Sequence, residues 1–291
     1  MKFLHLFIAI SMVSAAPAWA DPARPLFDGV TYEQRVRGGA APTVSHIVTL
    51  DLTRPGLRFE VTPKDDSRGM EHVAWTASEY QRKTKAQIVV NASYFLPFAG
   101  GSKGADDYYP KSGDPVNVSG AALSKGTQVS PVETDLDIRV NAIVCFKTAQ
   151  VLIRDGQVCP AGSADAVAAG PRLLEDKAPQ SFEAFDNNYA MTRAPRTAVG
   201  LSADGKTAWL VVVDGRQKGY SEGATLGELT ELFISLGASD AINLDGGGSS
   251  ALVQQGRDDQ PQVLNRPIHT GVPGRERPVA NHIAVFANPA R

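Results

Sequence analysis

This chain of 291 residues has few long apolar segments, few cysteines and no large excess of charge of either sign. Beyond the amino terminus, no stretch approaches the ~20 apolar residues that a membrane-spanning helix needs, so no membrane span is predicted. The formal net charge of -2 provides no broad basic field, so nucleic acid is not expected as a partner. Hydrophobic residues at 43% and charged residues at 21% are instead typical of a globular protein.

The two cysteines, Cys145 and Cys159, are too few for a structural zinc site. They flank extended sequence that we expect to turn at Asp155-Gly156, and in an oxidising compartment they could form a disulfide. Two buried free thiols are the alternative, because the sequence does not define the distance between the two Cα atoms. The five histidines lack metal-ligand spacing such as His-Glu-x-x-His, so no zinc site is predicted.

The amino terminus has the three parts of a secretory signal peptide. Lys2 is followed by an apolar stretch from Phe3 to Val13 and then by Ala18-Trp19-Ala20, a small-residue cleavage site. An amphipathic helix of the folded domain is the alternative, but the apolar run lacks polar residues at helical spacing. We therefore predict a signal peptide over residues 1–20 and an exported protein, periplasmic or secreted.

Residues 21–291 contain no internal repeat or low-complexity linker, and their number suits one domain. The amino-terminal half has the alternating pattern of antiparallel strands. In the carboxy-terminal third, strand, helix and strand alternate, and Thr225 and Glu228 have capping-box spacing at the start of a helix that should stop at Gly237. These patterns predict an α+β fold, a single mixed-sheet domain with packed helices.

Three predicted strands end on a polar residue, namely Asn91, Asp214 and Asp245. In α/β sheets ligands gather at the carboxyl ends of strands, where side chains leave the packed core, so these three could converge on one catalytic site.

Asp-Gly is also ordinary turn chemistry, and we interpret Asp155-Gly156 and Asp204-Gly205 as hairpin tips. Asp214-Gly215 differs because a loop and a helix follow it instead of a returning strand. Asp245 precedes three glycines and two serines, which is more backbone freedom than a two-residue turn needs. Both aspartates therefore remain candidates for a site.

The segment after Asp245 can bring backbone N–H groups close to a ligand, because glycine has no side chain. Such groups form a concave nest for anionic oxygens. We therefore predict substrate or phosphate binding by Gly246, Gly247, Gly248 and Ser249.

The same glycines also match a dinucleotide fingerprint and a nucleophile elbow loosely. Both motifs need a helix after the glycines, whereas the sequence that follows is strand-like. A serine hydrolase would further need His269 or His282 as a partner of Ser249 or Ser250, and nothing in the sequence supports that pairing. It stays the less favoured alternative.

Three arginines near these segments, Arg172, Arg196 and Arg216, could each bind a phosphate with two hydrogen bonds. Solvated or structurally paired arginines are the ordinary alternative.

Oxygen ligands for a calcium or magnesium ion are also present. The candidates are Asp106, Asp107, Asp214 and Asp245. Neither metal is certain from the sequence.

One combination of segments resembles the phosphodiester glycosidase family: NASYF, AAGPRLL, PRTAVG, VVVDGR, TLGEL, NLDGGGSSALV, NRP and RPVANHIAVF. The similarity extends from about Ile88 to Phe286 and is strongest from Pro195 to Val253. NASYF departs from the family pattern Asn-Gly-Gly-Phe-Phe, which reduces backbone flexibility at Ala92 and Ser93.

The resemblance implies hydrolysis of a sugar-1-phosphodiester such as an N-acetylglucosamine-1-phosphodiester, which releases the sugar and leaves a phosphomonoester. The partner would be a phosphodiester-linked carbohydrate. Glycine amides with Arg216 or Arg172 would receive the phosphate, and Asp245 or Asp214 would act as nucleophile, base or electrostatic stabiliser. A noncatalytic binding module for anionic or phosphorylated glycans is the competing interpretation, because it would use the same nest.

Overall fold

The computed structural model describes residues 18–96, 107–134, 139–148, 150–185 and 187–290. Most of the predicted signal peptide therefore lies outside the described residues. In chain order the strands are β1 (Ala18–Ala20), β2 (Arg24–Phe27), β3 (Val30–Arg37), β4 (Thr43–Asp51), β5 (Arg58–Val61), β6 (His72–Val73), β7 (Ile88–Asn91), β8 (Phe95–Leu96), β9 (Pro115–Val118), β10 (Ala122–Ser124), β11 (Thr127–Ser130), β12 (Ala142–Lys147), β13 (Gln150–Asp155), β14 (Asp165–Ala169), β15 (Arg172–Glu175), β16 (Ala178–Pro179), β17 (Arg196–Ser202), β18 (Thr207–Val213), β19 (Ala238–Asn243), β20 (Leu252–Gln255), β21 (Pro261–Val263), β22 (Ile268–His269), β23 (Val272–Pro273) and β24 (His282–Phe286). The helices are α1 (Ala77–Thr84), α2 (Asn187–Met191) and α3 (Leu226–Leu236), with 3₁₀ turns at Gly247–Ser249 and Arg257–Asp259.

Three sheets organise these strands. The large sheet has the order β1-β3-β4-β18-β17-β19-β15-β16, with β2 also paired to β3. The second sheet has the order β11-β10-β14-β12-β13, and the third has the order β21-β20-β7-β24-β5. Small sheets form from β22-β23 and β6-β9-β8. All pairings between these strands are antiparallel.

The main core lies where the three sheets face one another. Leu210 comes from the large sheet, Val144 and Phe146 from the second, and Ile88 and Ile283 from the third, and all belong to one buried cluster. Alternate residues of a strand point to the same face, so β18 gives Ala208, Leu210 and Val212 to this cluster. Burying an aliphatic or aromatic side chain contributes about 1.5–3 kcal/mol, and this shared core therefore stabilises all three sheets together.

Helix α3 covers the outer face of the large sheet and confirms the helix predicted there. Thr225 and Glu228 form the capping box, and Gly237 ends the helix with φ 83°. Phe233 lies directly on Gly200 of β17, where an added Cβ would come within 2.5 Å of the ring. Glycine at this position lets the helix approach the sheet.

The fold class is mostly β, which corrects the α+β prediction with packed helices. Strands account for 44% of residues and helices for 11%, in a single domain. The strand–helix–strand alternation misled the prediction because α3 carries the chain from β18 to β19 across β17. Those two strands run parallel, yet neither pairs with the other, so the sheet remains antiparallel.

The hairpin of β12 and β13 carries Cys145, and Cys159 lies in the segment that follows β13. The structure joins Cys145 to Cys159 in a disulfide with a Cα–Cα distance of 5.9 Å. The hairpin prediction at Asp155-Gly156 is wrong, because Asp155 pairs with Ala142 at the far end of the ladder from the turn. The predicted tip at Asp204-Gly205 is confirmed between β17 and β18.

Strand β1 lies inside the predicted signal peptide and pairs with β3, Ala18 opposite Arg37. Cleavage after Ala20 would remove this edge strand and leave β3 paired with β2 and β4. Within the described residues, no helix combines the length and the apolar composition needed to cross a membrane.

Candidate active site

A cavity of about 1050 Å³ opens beside the loop that follows β19. Asp245, Gly246, Gly247 and Gly248 line it, together with aromatic and cationic side chains from other parts of the chain. Glu133 is the second carboxylate among its described lining residues. The loop predicted as a site therefore does border this cavity.

Asn91 forms hydrogen bonds with the segments on both sides of the glycine loop but does not line the cavity. Its Nδ2 donates to the Asp245 carbonyl at 2.6 Å, and its Oδ1 accepts from Thr197 Oγ1 at 2.8 Å and from the Ala251 amide at 3.2 Å. The antiparallel pairing of β7 with β20 brings Asn91 to this position. Asn91 is fully buried, so its contacts orient the backbone on both sides of the glycines.

Asp214 is also fully buried and is not among the lining residues of the cavity. Its carboxylate accepts hydrogen bonds from His46 Nε2 at 2.9 Å and from the Tyr220 hydroxyl at 2.8 Å. The Asn265 side chain and the Arg266 amide each donate to it at 3.0 Å. These donors occupy the carboxylate, so Asp214 serves as an anchor between strand β18 and the segment before β22.

The three polar strand ends thus do meet around one loop, but only Asp245 faces the cavity. Asn265 Nδ2 bonds both Asp214 and the Ser250 carbonyl, the latter at 3.2 Å, and so links the anchor to the loop. Asn91 secures the other side. The sequence predicted that these three residues could converge. It did not distinguish Asp245, which lines the cavity, from Asn91 and Asp214, which support the loop.

The pKa of Asp245 is raised to about 6, chiefly because burial disfavours the charged form. A hydrogen bond from the Ser249 hydroxyl, the positive charge of Arg277 and the Gly246 amide lower the pKa and offset only part of that effect. Asp245 is therefore partly protonated near pH 6 and mainly ionised at neutral pH. A carboxyl poised in this range can exchange protons during a reaction.

Arg277 is the principal site residue that was not among the predicted ones. It is buried, and burial lowers its pKa. Its Nη1 donates to Ser249 Oγ at 3.2 Å, its Nε donates to His269 Nδ1 at 3.2 Å, and its guanidinium lies 3.8 Å from the centre of the Tyr109 ring. The available signal was its place at the start of RPVANHIAVF, but no local pattern separates it from other arginines.

The glycines make space for guanidinium groups, and two of their amides are engaged within the protein. The Gly247 amide donates to the Pro195 carbonyl at 2.8 Å, and the Gly246 amide contacts the Asp245 carboxylate. A Cβ at Gly248 would lie 2.2 Å from Arg277, and one at Gly247 would lie 3.1 Å from Arg216. The predicted amide nest is thus largely replaced by arginine side chains held against a side-chain-free loop.

Arg216 and Arg196 both line the cavity, but they differ in exposure and in hydrogen-bond partners. Arg216 is exposed and has φ 57°. No carboxylate of the described residues forms an ion pair with it. Arg196 is buried, with its Nε donating to the Ala224 carbonyl at 3.0 Å and its Nη2 to the Tyr189 and Thr192 carbonyls at 2.9 Å. Arg216 is the guanidinium best placed to receive an anion.

Arg172 lies outside this cavity, in a separate surface depression next to β13 and β19. Its guanidinium forms ion pairs with Asp155 at 2.9 Å, Glu175 at 2.7 Å and Asp240 at 2.6 Å. Three carboxylates already surround it, so the structure does not bring Arg172 to the loop with Asp245.

Two tyrosines form an aromatic wall of the cavity. The hydroxyls of Tyr94 and Tyr189 lie 2.5 Å apart, and Asn243 Nδ2 donates to each at 3.1 Å. The Arg139 guanidinium lies over both rings, at 5.3 Å and 5.1 Å. Burial raises the pKa of both tyrosines, so they stay neutral and present flat apolar rings to the cavity.

The proposed metal ligands are not gathered together. Asp106 lies outside the described residues, and Asp107 is exposed. The described part of the chain holds no cluster of three or more His, Cys, Asp or Glu side chains that could bind a metal ion. Calcium or magnesium stays a prediction that a chelator titration can test.

The sequence matches the phosphodiester glycosidase family over residues 84–286, and the chain belongs to this family. A protein from Bacillus subtilis strain 168, the SPbeta prophage-derived uncharacterized protein YomE, is 34% identical over 96 residues. This match covers 33% of the chain and 15% of that protein, so only a small part of the relative is represented.

Several solved structures share the fold at low sequence identity. A hypothetical protein from Synechocystis has a TM-score of 0.61 at 18% identity, covering 94% of this chain and 64% of its own. The zebrafish N-acetylglucosamine-1-phosphodiester alpha-N-acetylglucosaminidase catalytic domain, auto-inhibited by its pro-peptide, has a TM-score of 0.59 at 16% identity and coverages of 95% and 85%. A putative exported protein from Burkholderia pseudomallei K96243 has a TM-score of 0.58 at 16% identity and coverages of 85% and 75%.

Proposed function

We propose that this protein is an exported glycosidase that hydrolyses a sugar-1-phosphodiester, such as an N-acetylglucosamine-1-phosphodiester. The observation that carries the proposal is that Asp245 shares one cavity with Arg216 and Arg277. A carboxylate can act at the anomeric carbon while the guanidinium groups bind the phosphate. Membership of the phosphodiester glycosidase family supports this class of reaction.

The phosphate is assigned to Arg216 and Arg277. Burial is the main cause that lowers the pKa of Arg196 and of Arg277, and the positive charge of Arg216 lowers both further. A bound phosphodiester would relieve that repulsion. As the sugar–phosphate bond breaks, negative charge accumulates on the departing phosphomonoester, and the same guanidinium groups stabilise it.

Asp245 is assigned as the general base. It accepts a proton from a water molecule whose oxygen bonds to the anomeric carbon, while the bond between that carbon and the phosphate oxygen breaks and its electron pair leaves with the phosphate. A phosphomonoester is a good leaving group, so no separate general acid is required. A pKa of about 6 leaves Asp245 mainly ionised at neutral pH and still basic enough to accept a proton.

This assignment predicts the pH profile and the stereochemistry of the reaction. The value of kcat/KM should rise with pH through about 6, as Asp245 loses its proton. Direct attack by water should invert the anomeric configuration, which proton NMR of the first product can detect. Retention would instead assign Asp245 as the nucleophile.

The decisive experiment is incubation of purified protein with N-acetylglucosamine-1-phospho-methyl and related sugar diesters. Release of free sugar and methyl phosphate supports the proposal, and Asp245→Asn should reduce turnover by about 10²–10⁴-fold. Asp204→Asn, at an exposed hairpin tip, is the matched control and should retain full turnover. Binding of anionic glycans without turnover of any diester in the panel would identify a binding module instead.

Export is the second part of the proposal. It is supported by the signal-peptide pattern of residues 1–20 and by the disulfide between Cys145 and Cys159, since disulfides persist in oxidising compartments. Expression with the native amino terminus, followed by cell fractionation and amino-terminal sequencing, should yield a periplasmic or secreted protein that starts at Asp21. An uncleaved protein in the cytosol would contradict it.

A further inference from the structure

The mouth of the cavity carries exposed apolar side chains. Within the described residues six large hydrophobic side chains are exposed, and two of them, Leu96 at 56% and Val132 at 47%, line this cavity. Two of the six exposed large hydrophobic side chains thus line one cavity. Exposing apolar surface to water is unfavourable, so such a cluster marks a binding surface.

The lining of the cavity combines buried and exposed residues of different polarity. Arg196 and Arg277 are buried, and the charge of Arg277 acts on Asp245. Arg216 is the exposed arginine assigned to the phosphate, and Leu96 and Val132 are exposed apolar residues of the same lining. A phosphate held by Arg277 and Arg216 would therefore leave its other substituent on the exposed side of the cavity, where Leu96 and Val132 also lie.

A carboxylate lies next to Val132 and would repel an anionic group at that part of the rim. Glu133 follows Val132 directly and lines the cavity, and its Oε2 is held by the Gly120 amide at 3.1 Å. A polyanionic aglycone, such as a chain of phosphate esters, would meet this carboxylate as well as the apolar side chains. A hydrocarbon chain would contact Leu96 and Val132 and carry no charge towards Glu133.

We propose that the aglycone subsite binds a hydrocarbon chain, so that the preferred substrates are amphiphilic sugar-1-phosphodiesters whose phosphate is esterified to a long-chain alcohol. This inference rests on the proposed phosphodiester glycosidase activity. Leu96 and Val132 form the apolar rim that covers the first methylene groups of the chain. The sugar and phosphate occupy the interior with Asp245 and the arginines.

The test compares two diesters that differ only in the alcohol, N-acetylglucosamine-1-phospho-methyl and N-acetylglucosamine-1-phospho-octyl, below the critical micelle concentration of the latter. Covering two methylene groups is enough for about a tenfold lower KM. We therefore expect kcat/KM for the octyl diester to exceed that for the methyl diester at least tenfold. The double variant Leu96→Ser, Val132→Ser should reduce this ratio at least threefold, through a lower kcat/KM for the octyl diester.

The matched control is Ile234→Ser on helix α3, which removes an exposed apolar side chain away from the cavity and should leave the ratio unchanged. Equal kcat/KM values for both diesters in the parent protein would overturn the inference. Sedimentation equilibrium can detect a second way in which the inference fails. If the rim variant dissociates a dimer and leaves the octyl-to-methyl ratio unchanged, the rim binds a second copy of the chain, and the inference is overturned.

Failure of the proposed function has a different signature. If neither diester is hydrolysed, the activity proposal fails, and equilibrium binding of the two diesters then tests the apolar subsite separately. At least tenfold tighter binding of the octyl diester, lost in the double variant, would support the subsite. Equal affinities would refute it.

Discussion

Asp245→Asn should stabilise the folded protein at neutral pH while it removes turnover. Burial raises the pKa of Asp245 from 3.8 to about 6, which corresponds to roughly 3 kcal/mol of lost stability once the carboxyl is ionised. The carboxyl is partly accessible from the cavity, so solvent screening reduces this loss to about 1–2 kcal/mol. Asparagine does not ionise and avoids the loss.

The sign follows from proton binding. The folded state binds the Asp245 proton more tightly than the unfolded state does, so this contribution to stability is complete below pH 3.8 and disappears as the pH rises through about 6. The stability difference between variant and parent should therefore grow between pH 4 and pH 6 and level off above pH 7. At about 2–4 °C per kcal/mol, the variant should melt roughly 2–8 °C higher at pH 8.

Calorimetric or fluorescence melting of both proteins from pH 4 to pH 8 checks this prediction. Asp204→Asn is an informative control, because a hydrogen bond from Ser202 lowers the pKa of Asp204 and its pH trend should have the opposite sign. A variant that melts at or below the parent temperature at pH 8, or a difference that does not change with pH, would refute the reasoning.

Three other changes separate supporting residues from reacting ones. Asp214→Asn places an amide against donors that now bind the carboxylate, and we expect a loss of about 2–4 kcal/mol in the free energy of unfolding, measured by urea titration; an unchanged midpoint would contradict its role as an anchor. Gly248→Ala should push the guanidinium of Arg277 from its place and lower kcat/KM at least tenfold with a melting temperature within about 3 °C of the parent; unaltered kinetics would show that this guanidinium is not needed. Replacing Cys145 and Cys159 by serine opens a link between residues 14 apart and should cost about 3 kcal/mol, seen as a lower melting temperature, whereas an equal temperature would mean that the link does not stabilise the fold.

Local patterns in the chain predict features whose cause is local. Thr225, Glu228 and Gly237 are enough to define both ends of helix α3, because caps depend on groups within one turn. The turn at Asp204-Gly205 follows in the same way from residues beside it. Asp155-Gly156 shows the limit of such patterns, since the same dipeptide can close a strand instead of turning a hairpin.

The class of the fold depends on which strands become neighbours. Helix α3 connects two strands with β17 between them, so a local sequence of strand, helix and strand leads to an antiparallel sheet. No pattern within these segments specifies the strand that enters the gap. Sequence periodicity alone therefore could not predict the mostly β fold class.

By itself the sequence predicted that Asn91, Asp214 and the loop from Asp245 to Ser249 could converge on one site, because polar residues at strand ends leave the packed core and a run of glycines exceeds the needs of a turn. Only the tertiary structure decided their roles. Asp214 is surrounded by donors from distant segments, while Asp245 stays open to the cavity with a raised pKa. Arg277 reaches the loop from near the end of the chain, because the site is assembled from segments that meet only after the three sheets have packed.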